Sequence, residues 1–209
     1  MSTLGYGGQW MHKGGRMLRV VSVLGSPRAR GNSAILAEHF CKTARELGAD
    51  VRTYVLNDLN YRGCQACMAC KTELDKCVLE DDLTEVLESV ANTDVLLMAS
   101  PVYYGEVSSQ LKGFIDRTFS YLVPDFPSNP RPSRLTPGKK LVFIQAQGQP
   151  DASQFADIFP RYSNFFRWHG FTDAYLIRAC GVMDQGDVEK RRDVLDLAGD
   201  TARTVCENS

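Results

Sequence analysis

The sequence predicts one α/β domain whose parallel sheet is covered by helices on both faces. Three observations carry that expectation. Five apolar, strand-like segments alternate with five stretches of helical periodicity along the 209 residues. Hydrophobic residues make up 44% of the chain, enough to bury a core, and a formal net charge of −1 excludes the charge-driven signature of disorder. The first strand candidate is β-branched and apolar on both of its faces, as a parallel strand covered on both sides must be.

The elements follow in order. Residues 18–24 (LRVVSVL) form the first strand, ended by Gly25. From Ser33 the spacing turns helical through Leu36, Phe40, Ala44 and Leu47, and Gly48 supplies the stop. Residues 51–56 are a second strand, followed by a polar loop rich in cysteine. Asp81 and Asp82 place acid at the start of a second helix with the stripe Leu83, Val86, Leu87 and Val90. Residues 94–99 are a third strand and 100–107 a loop. Ser108 caps a third helix through Leu111, Phe114, Ile115, Phe119 and Leu122. Five prolines between Val123 and Gly138 require a long surface loop. A fourth strand at 140–146 precedes an aromatic-rich helical region, 155–170, expected to break at Pro160. A fifth strand at 174–179 and a helix from 187 to about 206 complete the pattern.

The near-neutral charge provides no bulk attraction to nucleic acid or anionic lipid, so neither is an expected partner. The most apolar run, 95–99, stops at Ser100 and Pro101, far short of the roughly 20 residues that span a bilayer. Residues 1–17 hold five glycines and no apolar h-region, and read as a flexible leader rather than a signal peptide. A cytoplasmic protein is expected.

In a doubly wound sheet, ligands bind beyond the carboxyl ends of the strands, where the loops after strands one to four converge. The first of these loops, GSPRARGNSA (25–34), is suited to an anion. Free N–H groups at the helix start, the hydroxyls of Ser26 and Ser33, and the guanidinium of Arg28 or Arg30 can surround a phosphate. It is not a Walker loop, because five residues separate Gly25 from Gly31 and Asn32 stands where that loop needs lysine. The loop after strand three places Pro101, Val102, Tyr103, Tyr104 and Gly105 together, and tyrosine faces beside exposed backbone N–H groups suit a planar aromatic ligand.

GSPRARGNS (25–33) followed by SPVYYGEVSSQLKGFIDR (100–117) resembles the NAD(P)H-dependent FMN reductase family of flavodoxin-like proteins, from about Leu18 onward. The resemblance implies a flavodoxin-like FMN-binding domain over residues 18–209 with strand order 2-1-3-4-5. It places Ser26, Arg28, Asn32 and Ser33 on the FMN phosphate and Pro101, Val102, Tyr103, Tyr104 and Gly105 around the isoalloxazine. The loop after strand four, with Gln147 and Gly148, is placed at the ring's other edge. The implied activity is electron transfer from NAD(P)H through FMN to a small acceptor, a flavin, a quinone or similar, with no obligatory side-chain acid or base. A homodimer or homotetramer is the implied assembly. Lys112, Asp116 and Arg117 match the family's helix and read as surface and loop-tethering ion pairs.

Cys64, Cys67, Cys70 and Cys77 have the form C-x2-C-x2-C-x6-C. Four thiolates at such spacing suit an iron–sulfur cluster or tetrahedral zinc, and free or redox-active thiols are the plain alternative. With the following CVLEDDL, the motif resembles the iron–sulfur flavoprotein branch of the same family. That implies a 4Fe-4S cluster on these four cysteines and an electron carrier coupled to a ferredoxin-like protein. Cys41, Cys180 and Cys206 read as buried or incidental, and His12, His39 and His169 show no catalytic pattern. The aromatics from Phe155 to Phe171 read as core, with a subunit interface as the alternative.

Overall fold

The computed structural model describes residues 17–207, so the expected leader lies, apart from Met17, outside the described residues. Six strands and six helices are present among them: β1 (Arg19–Leu24), α1 (Asn32–Glu46), β2 (Asp50–Val55), α2 (Ala69–Thr72), α3 (Leu83–Ala91), β3 (Val95–Tyr103), β4 (Glu106–Val107), α4 (Ser109–Arg117), β5 (Lys139–Gln147), α5 (Ile158–Trp168), β6 (Phe171–Cys180) and α6 (Arg192–Glu207). The parallel sheet runs β2-β1-β3-β5-β6, with the two-residue β4 paired only to the end of β3. With β4 set aside, this is the expected order 2-1-3-4-5.

Two apolar layers fix the sheet between helices. On one face Leu36, Phe40 and Ala44 of α1 and Val194, Ala198, Ala202 and Val205 of α6 pack on Val20, Leu97 and Ile144. On the other, Leu83, Val86, Leu87 and Val90 of α3, Leu111 and Phe114 of α4, and Tyr162 and Phe166 of α5 pack on Val21, Val23, Met98 and Phe143. Each of the larger aliphatic and Phe side chains contributes about 1.5–3 kcal/mol by leaving water. The helical stripes in the sequence become these contacts.

The segment 100–107 is not a loop. β3 continues through Ser100 and Pro101, which pair with Gln145 and Ala146 of β5, and then folds back on β4. Pro101 is tolerated because β1 ends opposite Ala99, leaving β3 one neighbour there and no ladder that needs its missing N–H. Pro160 does not break α5 either. It lies in the first turn, where backbone N–H groups have no intrahelical acceptor to lose. The third helix stops at Arg117 and tightens into a 3-10 turn over Thr118–Tyr121. β6 starts three residues before the expected strand, at the buried Phe171, with the exposed Thr172, Asp173 and Ala174 hiding its continuation.

Candidate functional site

The chain leaves β1 toward β2 on one side and returns to β3 on the other, which makes the β1/β3 boundary the switch point. Here the loops after β1 and β3 are joined. Gly25 donates to Ala99 O at 2.8 Å, and Ser108 Oγ donates to Gly25 O at 2.7 Å while accepting from Leu111 N as the cap of α4. A Cβ on Gly25 would meet Leu111 Cβ and Ser108 Oγ at 2.7 Å, so only glycine permits this approach.

The loop after β1 closes on itself. Ser26 Oγ accepts from Arg28 N and donates to Arg28 O, both at 3.1 Å, so this hydroxyl shapes the turn. Asn32 is similarly occupied: Nδ2 donates to Val182 O and Asp184 O, and Oδ1 accepts from Val188 N. Its side chain fastens the 181–188 loop, leaving only its main-chain N–H for a ligand. Arg28 is exposed and donates to Met183 O at 3.3 Å. Ser33 differs from all of these, because its hydroxyl is buried and has no hydrogen-bond partner among the described residues. It stands at the start of α1, which has no side-chain cap, so first-turn N–H groups and this hydroxyl are free to receive an anion.

Beyond β3, Tyr104 and Gly105 are the two central residues of a hairpin that pairs Tyr103 with Glu106. Both have positive φ, +52° and +79°, as a type I′ turn demands. Tyrosine is a costly residue at such a position, and the turn leaves Tyr104 fully exposed and Tyr103 42% exposed. The hairpin is braced from α5. Glu106 accepts from Val107 N at 2.8 Å and Tyr162 OH at 3.0 Å, and pairs with Arg161 at 2.8 Å. Burial, with Glu106 second, pushes the Tyr162 phenol up, so it stays a donor.

The loop after β5 shows a different use of its residues. Gln147 is buried: its Nε2 donates to Gln149 O, Asp151 O and Gln154 O, and its Oε1 accepts from Arg178. It organises the loop from beneath. Gly148 faces Met183, whose Cε would lie 2.8 Å from a Cβ there. Phe155, at φ +63°, lays its ring 3.3 Å from the Cβ position of Gly105 and so couples this loop to the tyrosine hairpin.

The cysteine loop leaves the end of β2, runs beside α4 from Gln110 to beyond Arg117, and is pinned by cations. Arg117, fully buried rather than on the surface, donates to Arg62 O at 2.9 Å, Leu79 O at 3.0 Å and Asp81 Oδ2 at 2.7 Å, clasping both stems of the loop. Burial opposes the Asp81 charge, yet Arg117 and the N–H groups of Arg62 and Leu83 hold its carboxyl below the ordinary value. Lys112 and Asp116 form an exposed pair at 2.6 Å. Cys64 and Cys67 are exposed and Cys70 and Cys77 half-buried, all as free thiols. Ala66 and Met68, on either side of Cys67, both have positive φ. Among the described residues no three His, Cys, Asp or Glu side chains are gathered for a metal ion, so the four thiols share a loop without being drawn together.

A family model described as NADPH-dependent FMN reductase matches residues 18–159, which contain both the loop after β1 and the tyrosine hairpin. The chain belongs to this family. An iron-sulfur flavoprotein of Methanocaldococcus jannaschii is 36% identical over 101 residues, 48% of this chain and 52% of that protein. One of Archaeoglobus fulgidus is 34% identical over 104 residues, 50% and 47% of the two chains. The chain thus spans about half the length of the relatives it matches. Among solved structures, the NAD(P)H:quinone oxidoreductase from Methanothermobacter marburgensis superposes with a TM-score of 0.71 at 18% identity, covering 91% of this chain and 96% of that one. The FMN-dependent NADH-azoreductase from Bacillus anthracis in complex with FMN gives 0.66 at 16%, covering 91% and 100%. At these identities the likeness is one of fold.

Two residues at this edge and one in the cysteine loop escape a motif reading. Met183 comes from the loop after β6, which the sequence marks only by glycines. Phe155 looks like one more core aromatic. Lys71 looks like a solvated charge but is buried. The signal for the hairpin is Gly105 alone, standing at the second turn position between Val102 and Val107. No described helix is long and apolar enough to cross a membrane.

Proposed function

We propose that the protein is an FMN-dependent oxidoreductase that takes electrons from NAD(P)H and delivers them to a small acceptor, a flavin, a quinone or similar. The observation that carries this reading is the buried, partnerless Ser33 hydroxyl at the uncapped start of α1, beside the switch point. A phosphate monoester satisfies it, and the family assignment supplies the planar ring that goes with that phosphate. When bound, FMN supplies the redox chemistry, accepting hydride and releasing electrons.

The chain's own residues then bind and orient. Ser33 and the first-turn N–H groups of α1 hold the phosphate, Ser26 keeps the turn in shape, and Arg28 adds charge from the rim. Asn32 acts indirectly, by fastening the loop that carries Met183. Pro101, Val102, Tyr103, Tyr104 and Gly105 line the ring along the rigid β3–β4 turn, and Gly148 leaves room at the opposite edge under Met183. No side chain at this edge is placed as an obligatory acid or base. The fully exposed Tyr104, with Phe165 and Trp168 exposed on α5, supports a homodimer or homotetramer. Seven free thiols support a reducing, cytoplasmic setting.

A second reading, an electron carrier with a 4Fe-4S cluster on Cys64, Cys67, Cys70 and Cys77 and a ferredoxin-like partner, is favoured by one observation. Two cations without carboxylate partners among the described residues, Lys71 and Arg134, lie against Cys70. The donor set suits the cluster chemically, and binding it requires the loop to gather its thiols.

The test is direct. Purified protein supplied with FMN is assayed for NADH and NADPH oxidation with a quinone acceptor, alongside iron and sulfide analysis after anaerobic purification. Flavin-dependent oxidation supports the first reading, iron and sulfide support the second, and absence of flavin binding overturns both.

A further inference from the structure

Asn32 opens α1, and its side chain is buried. The amide is spent away from the helix: Nδ2 donates to Val182 O at 3.3 Å and Asp184 O at 2.9 Å, and Oδ1 accepts from Val188 N at 3.1 Å. Val182 and Val188 are buried in the core while Met183, Asp184 and Gln185 between them are exposed, so one amide closes the base of this loop. Inside it, Asp187 Oδ2 accepts from Met183 N at 3.1 Å and Asp184 N at 2.8 Å. Two more residues of the loop after β1 reach the same segment. Arg28 donates to Met183 O at 3.3 Å, and Arg30 pairs with Glu189.

The main chain of Asn32 serves the anion site instead. The N–H groups of Asn32, Ser33 and Ala34 have no acceptor among the described residues, and the Ser33 hydroxyl beside them is buried and partnerless there as well. One residue therefore offers its peptide N–H to a phosphate and its side chain to the 182–188 loop. The side chain is held in a staggered well, so a movement of the first turn toward an anion carries the amide with it. A buried N–H such as that of Val188 is costly to leave without an acceptor, and the loop must follow. Two events that fix the same residue favour each other, and the coupling is reciprocal.

We propose that Asn32 is a positioning residue that couples phosphate at the start of α1 to the place of Met183. This rests on the FMN reading above. The thioether of Met183 lies against Gly148, where a Cβ would stand 2.8 Å from Cε and 2.9 Å from Sδ, so a displacement of the 182–188 loop is felt at the loop after β5. A phosphorylated flavin fixes Met183 at that edge; an unphosphorylated one leaves the 182–188 loop as it is.

The experiment is residue-resolved amide exchange of the full-length, flavin-free protein by NMR, with inorganic phosphate, FMN, riboflavin, or chloride matched in ionic strength. Phosphate and FMN are each expected to slow exchange at Ser33 and Ala34, and at Val188 by about 10-fold, while chloride and riboflavin leave Val188 unchanged. In Asn32→Ala, phosphate still slows Ser33 and Ala34, but Val188 exchanges faster and no longer responds. A merely structural clasp would also speed Val188 in the variant, yet would give no phosphate response in the parent. If Asn32→Ala fails to accumulate, the parent titration decides alone. Protection of Ser33 and Ala34 with Val188 unmoved overturns the coupling and leaves the FMN reading standing. A Val188 response that survives Asn32→Ala overturns it too. No protection of Ser33 and Ala34 by FMN overturns the FMN reading and this inference with it.

Discussion

His169 closes α5 and is buried between Tyr121 and Phe166, with ring centroids 5.8 and 5.2 Å away. Neither ring nitrogen makes a hydrogen bond, although the Thr118 backbone lies close enough to favour the charged form slightly. Burial first, and the charge of Lys71 second, push the imidazole down to about 4. An unfolded chain titrates near 6.5. Because the folded value is the lower one, the unfolded state binds the extra proton. The stability is therefore complete above about pH 6.5 and is lost as pH falls toward about 4. A difference of about 2.5 units corresponds to roughly 3 kcal/mol in full, of which about 2 kcal/mol is lost by about pH 5. His169→Leu removes the proton site with an apolar side chain of similar size, and removing an unpaired polar group from the core costs little. Thermal melts of parent and variant at neutral pH and near pH 5 isolate the term, since all other groups titrate alike in both. The parent should lose about 4–8 °C more than the variant on acidification, at about 2–4 °C per kcal/mol for a chain of this size. Equal losses in the two proteins would refute the reasoning.

Three further outcomes are expected. Ser33→Ala should weaken FMN binding roughly 10- to 100-fold, the value of about 1.5–3 kcal/mol for a hydrogen bond to a charged group, read by quenching of flavin fluorescence. Gly31→Ala places a Cβ 2.3 Å from Ser26 Oγ and 3.2 Å from Arg28 O, which must open the turn; a roughly 10-fold loss of FMN affinity with an intact fold by circular dichroism is expected. Arg117→Met leaves Asp81 and two loop carbonyls without their shared donor, and should cost about 3–5 kcal/mol in a denaturant titration, with protease cleavage appearing first in the cysteine loop.

Legibility in the sequence followed the physics of each segment. The stripes of α1, α3 and α4 and the strands β1 and β5 are readable because burial on one or both faces imposes an apolar pattern. β6 reads short because Thr172, Asp173 and Ala174, on an edge strand, are exposed and separate the buried Phe171 from the rest of the pattern. The continuation of β3 through Pro101 was hidden by a residue that ordinarily ends a strand. In the site, residue types were readable but their allocation was not. Ser33 and Asn32 are both short and polar, and only the contacts of the 181–188 loop show that Asn32 is committed while Ser33 is free. Gln147 is expected at the ring's edge, yet its amide is spent beneath its own loop. Lys71 shows the limit plainly: a lysine between polar residues reads as solvated until long-range contacts bring Phe119, Leu122 and Arg134 around it.

The central claim is that the buried Ser33 hydroxyl and the α1 start form a phosphate site, with the tyrosine hairpin as the wall for the attached ring. Equilibrium titration of flavin-free protein with FMN, and in parallel with riboflavin, tests it most directly. Saturable binding of one FMN per chain, with riboflavin much weaker because it lacks the phosphate, is the predicted result. Equal affinity for the two flavins, or no saturable binding of either, would contradict the account.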